Sequence, residues 1–178
     1  MFVQTERLTL RRFIPADATA FEAYRSDPDV ARYQGWEAPI PDPLGDVTRY
    51  GEGDPDAAGW FQYAADLDGV LIGDLGLNLH ENLMQADLGF TLAPAYQGKG
   101  YATEAVRGLL DHLFTVKKLH KVSAECDARN TASARLLERV GFQREGLRRS
   151  HTWIKGEWTD DLLYGVLRSD YLVTPPAK

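Results

Sequence analysis

A glycine-rich turn lies between two apolar runs, and this arrangement restricts the folds that the chain can adopt. The turn, Gln97-Gly98-Lys99-Gly100-Tyr101-Ala102, follows a strand-like run over 86–92 and precedes a helix-like run over 103–114. The first N–H groups of a helix have no partner inside the helix and, with the helix dipole, attract anions. Gly98 and Gly100 allow positive φ and close approach of the backbone, and Lys99 adds positive charge. The pattern predicts a phosphate site, although glycines between a strand and a helix also serve only to turn the chain.

The order of the elements separates this chain from the dinucleotide-binding fold. A strand over 7–13 and several helices come first, and three consecutive strands over 60–66, 70–77 and 86–92 then lead into the glycine turn. A dinucleotide-binding sheet alternates strands with helices and carries its glycines after the first strand. The three consecutive strands therefore argue against that fold.

Other segments are assigned from their periodicity and turn residues. Two loops are predicted over 35–46, with Pro43 opening a short helix, and over 51–59. After the turn, the pattern predicts a helix over 103–114, a strand over 121–126, a helix over 131–140 and a hairpin of 145–154 with 157–167. A short tail over 168–172 follows, and Pro175-Pro176 is expected to end the ordered chain.

Composition indicates one globular domain over 1–178, with a core over about 5–172 and a tail over 173–178. The chain has 178 residues, of which 44% are hydrophobic and 26% charged, and this size suits a single core. Its net charge of −6 disfavours nucleic acid and suits cationic partners such as amines. A single cysteine, Cys126, with no signal peptide or membrane-length apolar run, predicts a cytoplasmic protein without membrane association. The four histidines lack metal-binding spacing, so no metal is expected.

A second group of residues lies downstream of the glycine turn: Asn130-Thr131-Ala132-Ser133, then Gly141-Phe142 and Glu145-Gly146. The turn matches the Gln/Arg-x-x-Gly-x-Gly/Ala signature of the GNAT superfamily of N-acetyltransferases. The second group resembles the Asn-x-x-Ser … Gly-Phe … Glu-Gly run of the branch that includes the ribosomal-protein N-terminal acetyltransferases. Two further stretches resemble that branch, Thr5-Glu6-Arg7-Leu8-Thr9-Leu10-Arg11 and Gly156-Glu157-Trp158-Thr159-Asp160. The resemblance covers about 5–171.

This resemblance implies a fold and a co-substrate. The fold is α/β (α+β), with a mixed, mostly antiparallel seven-stranded sheet that splays between its fourth and fifth strands and is flanked by helices. Acetyl-CoA is expected in the gap as co-substrate, without a metal. The residues implied to bind it are Thr91, Leu92, Ala93, Gln97, Gly98, Lys99, Gly100, Tyr101, Ala102, Thr103, Asn130, Ser133 and Leu136.

The resemblance also implies direct attack of a primary amine on the thioester, without an acyl-enzyme. Many family members carry a Tyr as general acid where this chain has Leu137, so Ser133 is the expected substitute. Asn130 is expected to hold CoA or the start of the helix. Asn and Ser three residues apart are also ordinary capping residues, and both roles can coexist.

Asp87 is the expected base, acting on the amine through water. Strand alternation places it on the same face as Gly89 and Thr91. The alternative is a solvated strand carboxylate, and Glu125 and Asp127 are other candidates on the neighbouring strand. Glu104 is expected to complement the start of its helix rather than act as a base.

Tyr33 and Trp36 in the irregular loop and His151 in the final hairpin are the candidate acceptor residues. The alternative is that the aromatics pack on the core and that His151 is structural. The acceptor is a protein N-terminus or a small molecule such as an aminoglycoside, a polyamine or an amino acid, and the protein is a monomer or homodimer. Leu137 supports a second hypothesis, a non-catalytic CoA-binding or sensor module, and a third is a nucleotide-binding module.

Overall fold

A single sheet of eight strands runs through the molecule in the order β1-β2-β3-β4-β5-β6-β8-β7. The computed structural model describes residues 2–173. All neighbouring strands are antiparallel except β5 and β6, which are parallel. The strands are β1 Val3–Gln4, β2 Thr9–Arg11, β3 Gly59–Leu67, β4 Val70–Leu79, β5 Gln85–Leu92, β6 Lys121–Asp127, β7 Gln143–Ile154 and β8 Glu157–Leu167.

Six α-helices connect the strands within the described residues. They are α1 Ala18–Arg25, α2 Pro28–Ala31, α3 Pro43–Glu52, α4 Tyr101–Thr115, α5 Thr131–Arg139 and α6 Arg168–Val173. Helix α4 buries the apolar stripe that its sequence predicts, Ala105, Val106, Leu109, Leu110, Leu113 and Phe114, against the main core of the sheet. A second, smaller core lies beneath α1 and α3 around Phe13, Phe21, Tyr24 and Val47.

The sheet opens between β5 and β6. These strands pair only at their beginnings, from Gln85 with Lys121 to Asp87 with Ser123. Beyond Asp87 the two strands have no mutual register, so the backbone edge of β5 from 88 to 92 faces a gap instead of a neighbour. The mixed, mostly antiparallel α/β fold predicted above is confirmed, and the gap lies between the two strands where the resemblance placed it.

The structure differs from the sequence-based prediction in a few elements. It has eight strands instead of seven because Val3–Gln4 pairs with β2 as an extra edge strand. Residues 43–52 form a ten-residue helix, α3, which takes up the end of one predicted loop and the start of the next. The short tail predicted over 168–172 is helical throughout, as part of α6, which buries Tyr171 against the main core. Pro175-Pro176 lies outside the described residues.

Candidate active site

The glycine turn has the conformation that anion binding requires. Gly98 and Gly100 have φ of 73° and 84°, a region that L side chains avoid. Gly100 is the N-cap of α4, and no side chain caps this helix. A Cβ added at Gly98 would meet no atom within 4 Å, so the space in front of the turn is open. The N–H groups at the start of α4 are therefore free to bind a ligand.

A cavity of about 570 Å³ lies where β5, the starts of α4 and α5, and α2 with the residues after it meet. Ala93 and Lys99 do not line it: Ala93 packs on the second core, and Lys99 Nζ donates to the carbonyl of Ala95 at 2.8 Å. The other residues implied to bind acetyl-CoA all line it, namely Thr91, Leu92, Gln97, Gly98, Gly100, Tyr101, Ala102, Thr103, Asn130, Ser133 and Leu136.

Two arginines of α5 also line this cavity and were missed in the sequence analysis. Arg135 and Arg139 share one face of the helix with Ala132 and Leu136, and all four line the cavity. Arg139 Nη1 lies 3.4 Å from Thr103 Oγ1 at the start of α4. Their i, i+3, i+4, i+7 spacing was the sequence signal that could have found them. The arginines place positive charge beside the free N–H groups of α4.

Asn130 and Ser133 meet at the start of α5. Asn130 is the N-cap, and its Oδ1 accepts the N–H of Ser133 at 3.1 Å. Within residues 2–173 the Ser133 hydroxyl has no hydrogen-bond partner, and it lines the cavity. Leu137, one helical turn further, is only 1% exposed and belongs to the main core. Capping therefore accounts for Asn130, whereas the Ser133 hydroxyl remains available to a ligand.

Asp87 lies at the apex of the opening, where the pairing of β5 with β6 stops. Ala86 and Leu88 point into the main core with α4, so Asp87 projects from the opposite face of the sheet. Its carboxylate accepts from Asn78 Nδ2 at 3.2 Å and lies 2.9 Å from His80 Nε2. Asp87 does not line the cavity. The partner His80 was missed in sequence, because only the β4–β5 register, Asn78 opposite Asp87, brings it near.

The three candidate acceptor residues have different surroundings. Tyr33 lines the cavity, and the Arg129 guanidinium lies 5.7 Å from the centre of its ring. Trp36 does not line it: its Nε1 donates to the carbonyl of Arg25 at 3.0 Å, and its ring stacks on the Arg25 guanidinium at 4.0 Å. His151 is exposed, with Nε2 3.3 Å from Arg148 Nη1, and lies outside the cavity. The structure thus brings only Tyr33 of the three to the cavity, together with Asp29, Val30 and Gln34.

Residues 7–143 match the family model of the acetyltransferase (GNAT) domain, which is more than half of the chain. The chain belongs to the GNAT acetyltransferase family. Members of this family use acetyl-CoA as the acyl donor, and the protein is an acyltransferase.

Relatives of this GNAT protein act on different amines. It is 33% identical to p20 of Bacillus licheniformis, named an uncharacterized N-acetyltransferase, over 94% of this chain and 96% of that protein. It is 30% identical to the [ribosomal protein uS5]-alanine N-acetyltransferase of Escherichia coli, over 47% of this chain and 43% of that protein. The second match covers less than half of either chain, so it supports the branch and not a shared acceptor.

Solved structures of GNAT proteins share the whole fold. An acetyltransferase of the GNAT family from Bacillus anthracis has a TM-score of 0.85 at 30% identity, over 95% of this chain and 99% of that chain. Spermidine N-acetyltransferase from Vibrio cholerae, solved with CoA and spermine, has a TM-score of 0.79 at 26% identity, over 93% and 98% of the two chains. The likeness therefore extends beyond the residues that the family model matches.

Other ionisable groups beside the gap are engaged. Asp127 is 1% exposed, and hydrogen bonds from Arg129 hold the pKa of its carboxyl below its usual value. Glu125 pairs with Arg148 at 3.3 Å. Burial raises the pKa of Cys126 to about 11, so this thiol is protonated at neutral pH. The role of Asp87 as base stays a prediction, and so does a reaction without a cysteine nucleophile.

Two features are absent from the described residues. Within 2–173, none of the helices has both the length and the apolar character needed to cross a membrane. In the same range, no group of three or more His, Cys, Asp or Glu side chains is arranged to hold a metal ion. The cytoplasmic location and the state as monomer or homodimer stay predictions.

Proposed function

We propose that this protein transfers an acetyl group from acetyl-CoA directly to a primary amine. The observation that carries the proposal is one cavity, at the gap between β5 and β6, that joins the glycine turn to the free hydroxyl of Ser133. A purely structural glycine turn would not need an open anion site facing a hydroxyl across a cavity.

The residues of the cavity suit each part of CoA. The free N–H groups after Gly98 and Gly100 fit the diphosphate, because they present partial positive charge at the start of a fifteen-residue helix. Arg135 and Arg139 supply full charges for the remaining phosphate. The edge of β5 beyond Asp87, which has no neighbouring strand, offers backbone groups to the amides of the pantetheine arm. The Leu92 carbonyl at its end already accepts from Gln97 Nε2 at 2.9 Å. Groups of three kinds around one cavity therefore support CoA as the ligand.

The thioester of the bound donor supplies an activated acetyl group, and the chain's own residues handle the protons. Asp87 accepts, through water, the proton that the ammonium form of the acceptor must lose before it can attack. The Ser133 hydroxyl donates a proton to the departing CoA sulfur and regains, through water, the second proton that the amine nitrogen loses as the amide bond forms. Thus the amine gains the acetyl group, the sulfur gains a proton, and Asp87 releases its proton to solvent.

For the acceptor, we infer a single amine, such as a peptide N-terminus, ahead of a polyamine. Several carboxylates on the acceptor side already have cationic partners: Asp29 pairs with Arg32, Asp127 with Arg129 and Glu125 with Arg148. A polyamine carries several charges and would favour free carboxylates along its length. Among the relatives, the Escherichia coli enzyme is named for an alanine of ribosomal protein uS5 and the Vibrio cholerae enzyme for spermidine, so both kinds of acceptor belong in the test.

Thiol release from acetyl-CoA tests the proposal. The purified chain is assayed with an alanine-first peptide, spermidine and an aminoglycoside, and turnover is expected with at least one amine. Asp87→Asn should lower kcat about 100-fold and Ser133→Ala about 10-fold, while the affinity for CoA changes little. Glu81→Gln and Ser169→Ala, which alter exposed groups away from the cavity, are matched controls. Tight CoA binding without turnover of any amine at any pH, in the parent and in Ser133→Ala alike, would favour the sensor hypothesis instead.

A further inference from the structure

The turn between the first two strands reaches across to the first turn of α4. Thr5 Oγ1 donates to Glu104 Oε1 at 2.6 Å. The backbone N–H of Arg7 donates to the same oxygen at 2.7 Å, and Arg7 Nε donates to Glu104 Oε2 at 2.6 Å. Both carboxylate oxygens of Glu104 are therefore bound by residues almost one hundred positions earlier in the chain.

Arg7 also contacts the glycine turn directly. Its Nη1 donates to the carbonyl of Lys99 at 3.3 Å, and its guanidinium lies 4.3 Å from the centre of the Tyr101 ring. Its Nη2 lies 3.5 Å from the position that a Cβ on Gly100 would take. One guanidinium thus contacts Lys99 and Tyr101, the two residues that flank Gly100.

The charge of Glu104 makes this contact important. Glu104 lies in the first turn of α4, beside the N–H groups that would bind a diphosphate. Burial alone would raise the pKa of Glu104, but hydrogen bonds from Thr5 and Arg7 outweigh it and lower the pKa, so the carboxylate is ionised at neutral pH. An ionised carboxylate without a cationic partner would repel an anionic ligand at this position.

We propose that Arg7 is a positioning residue for the acyl donor, which holds Lys99–Tyr101 in the anion-binding conformation and neutralises Glu104 beside the bound diphosphate. The inference rests on the proposed function in so far as the diphosphate belongs to CoA. It also assigns a task to the Thr5-Glu6-Arg7 stretch, which the catalytic scheme leaves unused.

A merely structural ion pair would behave differently. The Arg7 side chain is 42% exposed, although that of Glu104 is only 16% exposed, and a pair whose cation is open to solvent contributes only modestly to folding stability. Loss of Arg7 should therefore act on ligand affinity and not on the unfolding midpoint. Removing the charge of Glu104 as well should restore affinity, because the repulsion disappears with it.

The test compares Arg7→Ala, Glu104→Gln, the double variant and Arg7→Lys by calorimetric titration with CoA and with inorganic pyrophosphate. Arg7→Ala should weaken CoA binding about 10-fold, and Glu104→Gln in the same chain should recover about 3-fold. Arg7→Lys should lie between Arg7→Ala and the parent, because lysine keeps the charge but not the several N–H donors. In Arg7→Ala, kcat at saturating acetyl-CoA should stay within about twofold of the parent value. Arg49→Ala, which removes an exposed pair on α3, is the control and should leave the affinity for CoA unchanged.

Two results would overturn the positioning role: unchanged affinity in Arg7→Ala, or a double variant as weak as Arg7→Ala. The pyrophosphate titration separates this outcome from failure of the proposed function. If the parent binds pyrophosphate but not CoA, the proposed function fails while the role of Arg7 at an anion site is still measured. If the parent binds neither ligand, both proposals are wrong.

Discussion

The two sides of the cleft are built in different ways. On the donor side, Gly98 of the glycine turn and residues 100–103 at the start of α4 line the cavity beside the free N–H groups of one helix. On the proposed acceptor side, Tyr33, Asp87 and Arg129 come from separate elements and would contribute their side chains. The donor side therefore depends on local backbone conformation, whereas the acceptor side depends on how distant elements pack.

A buried charge network supports the segment that contains Trp36. Asp74 on β4 is 1% exposed and binds Arg25 Nη2 at 2.6 Å, the Tyr24 hydroxyl at 2.5 Å and Gln62 Nε2 at 2.9 Å. The Arg25 guanidinium in turn supports the ring of Trp36. Trp36 therefore packs on this network and does not line the cavity.

The largest effect is expected from breaking this network. Asp74→Ala leaves Arg25 buried without its partner, and loss of one member of a buried ion pair costs about 3–5 kcal/mol of unfolding free energy. Urea denaturation followed by tryptophan fluorescence measures it. Asp46→Ala, which removes an exposed pair, should cost less than about 1 kcal/mol. A similar cost for both variants would contradict a special stabilising role of the buried network.

A second change addresses the donor side. Gly100→Val forces a branched side chain at φ 84°, which costs about 1–2 kcal/mol unless the turn shifts and its N–H groups turn away from the ligand. CoA affinity should fall about 10- to 30-fold, measured by calorimetry. Gly156→Val is the matched control, because Gly156 has φ 87° at a hairpin tip and open space around it. Equal CoA affinities in the two variants would contradict a backbone-based donor site.

A smaller effect is expected from the partner of the proposed base. His80→Gln removes the imidazole 2.9 Å from Asp87, and kcat should fall about 5-fold because the carboxylate loses an orienting partner. The KM for acetyl-CoA should stay unchanged, since His80 lies outside the cavity. Steady-state kinetics measure both constants, with exposed His120→Gln as control. A rise in the KM for acetyl-CoA without a change in kcat would indicate that His80 contributes to donor binding instead.

The smallest effect is expected for the pH dependence of folding stability, which is measured separately from the pH dependence of kcat. Burial, and then the nearby charge of Lys117, lower the pKa of His112 on α4 below its model-peptide value of 6.5. The unfolded chain therefore binds more protons, so stability present above pH 6.5 is lost as the pH falls towards the folded pKa. Between pH 8 and pH 5.5, His112→Gln should flatten the fall of the melting temperature by about 2 °C. An identical slope in the variant would assign the pH dependence to other groups.

The donor side could be predicted from sequence because its signals are local. Gly98, Gly100 and the apolar stripe of α4 lie within eighteen residues and follow simple conformational rules. The acceptor side could not, because Trp36 and His151 carry no sign of whether they face a cavity or another side chain. For Asp87, the sequence predicted only the face of the strand and not the position at the apex of the opening. Its partner His80 could be found only from the register of β4 with β5.

By itself, the sequence determined the order of the elements, the conformation of the glycine turn, and the capping of α5 by Asn130, since each depends on residues close together in the chain. Only the tertiary structure decided which side chains share the cleft. Arg7 reaches Glu104 across 97 positions, and Asp74 meets Arg25 across 49. Such contacts follow from how the sheet and helices pack, and the short-range periodicity of the sequence does not encode them.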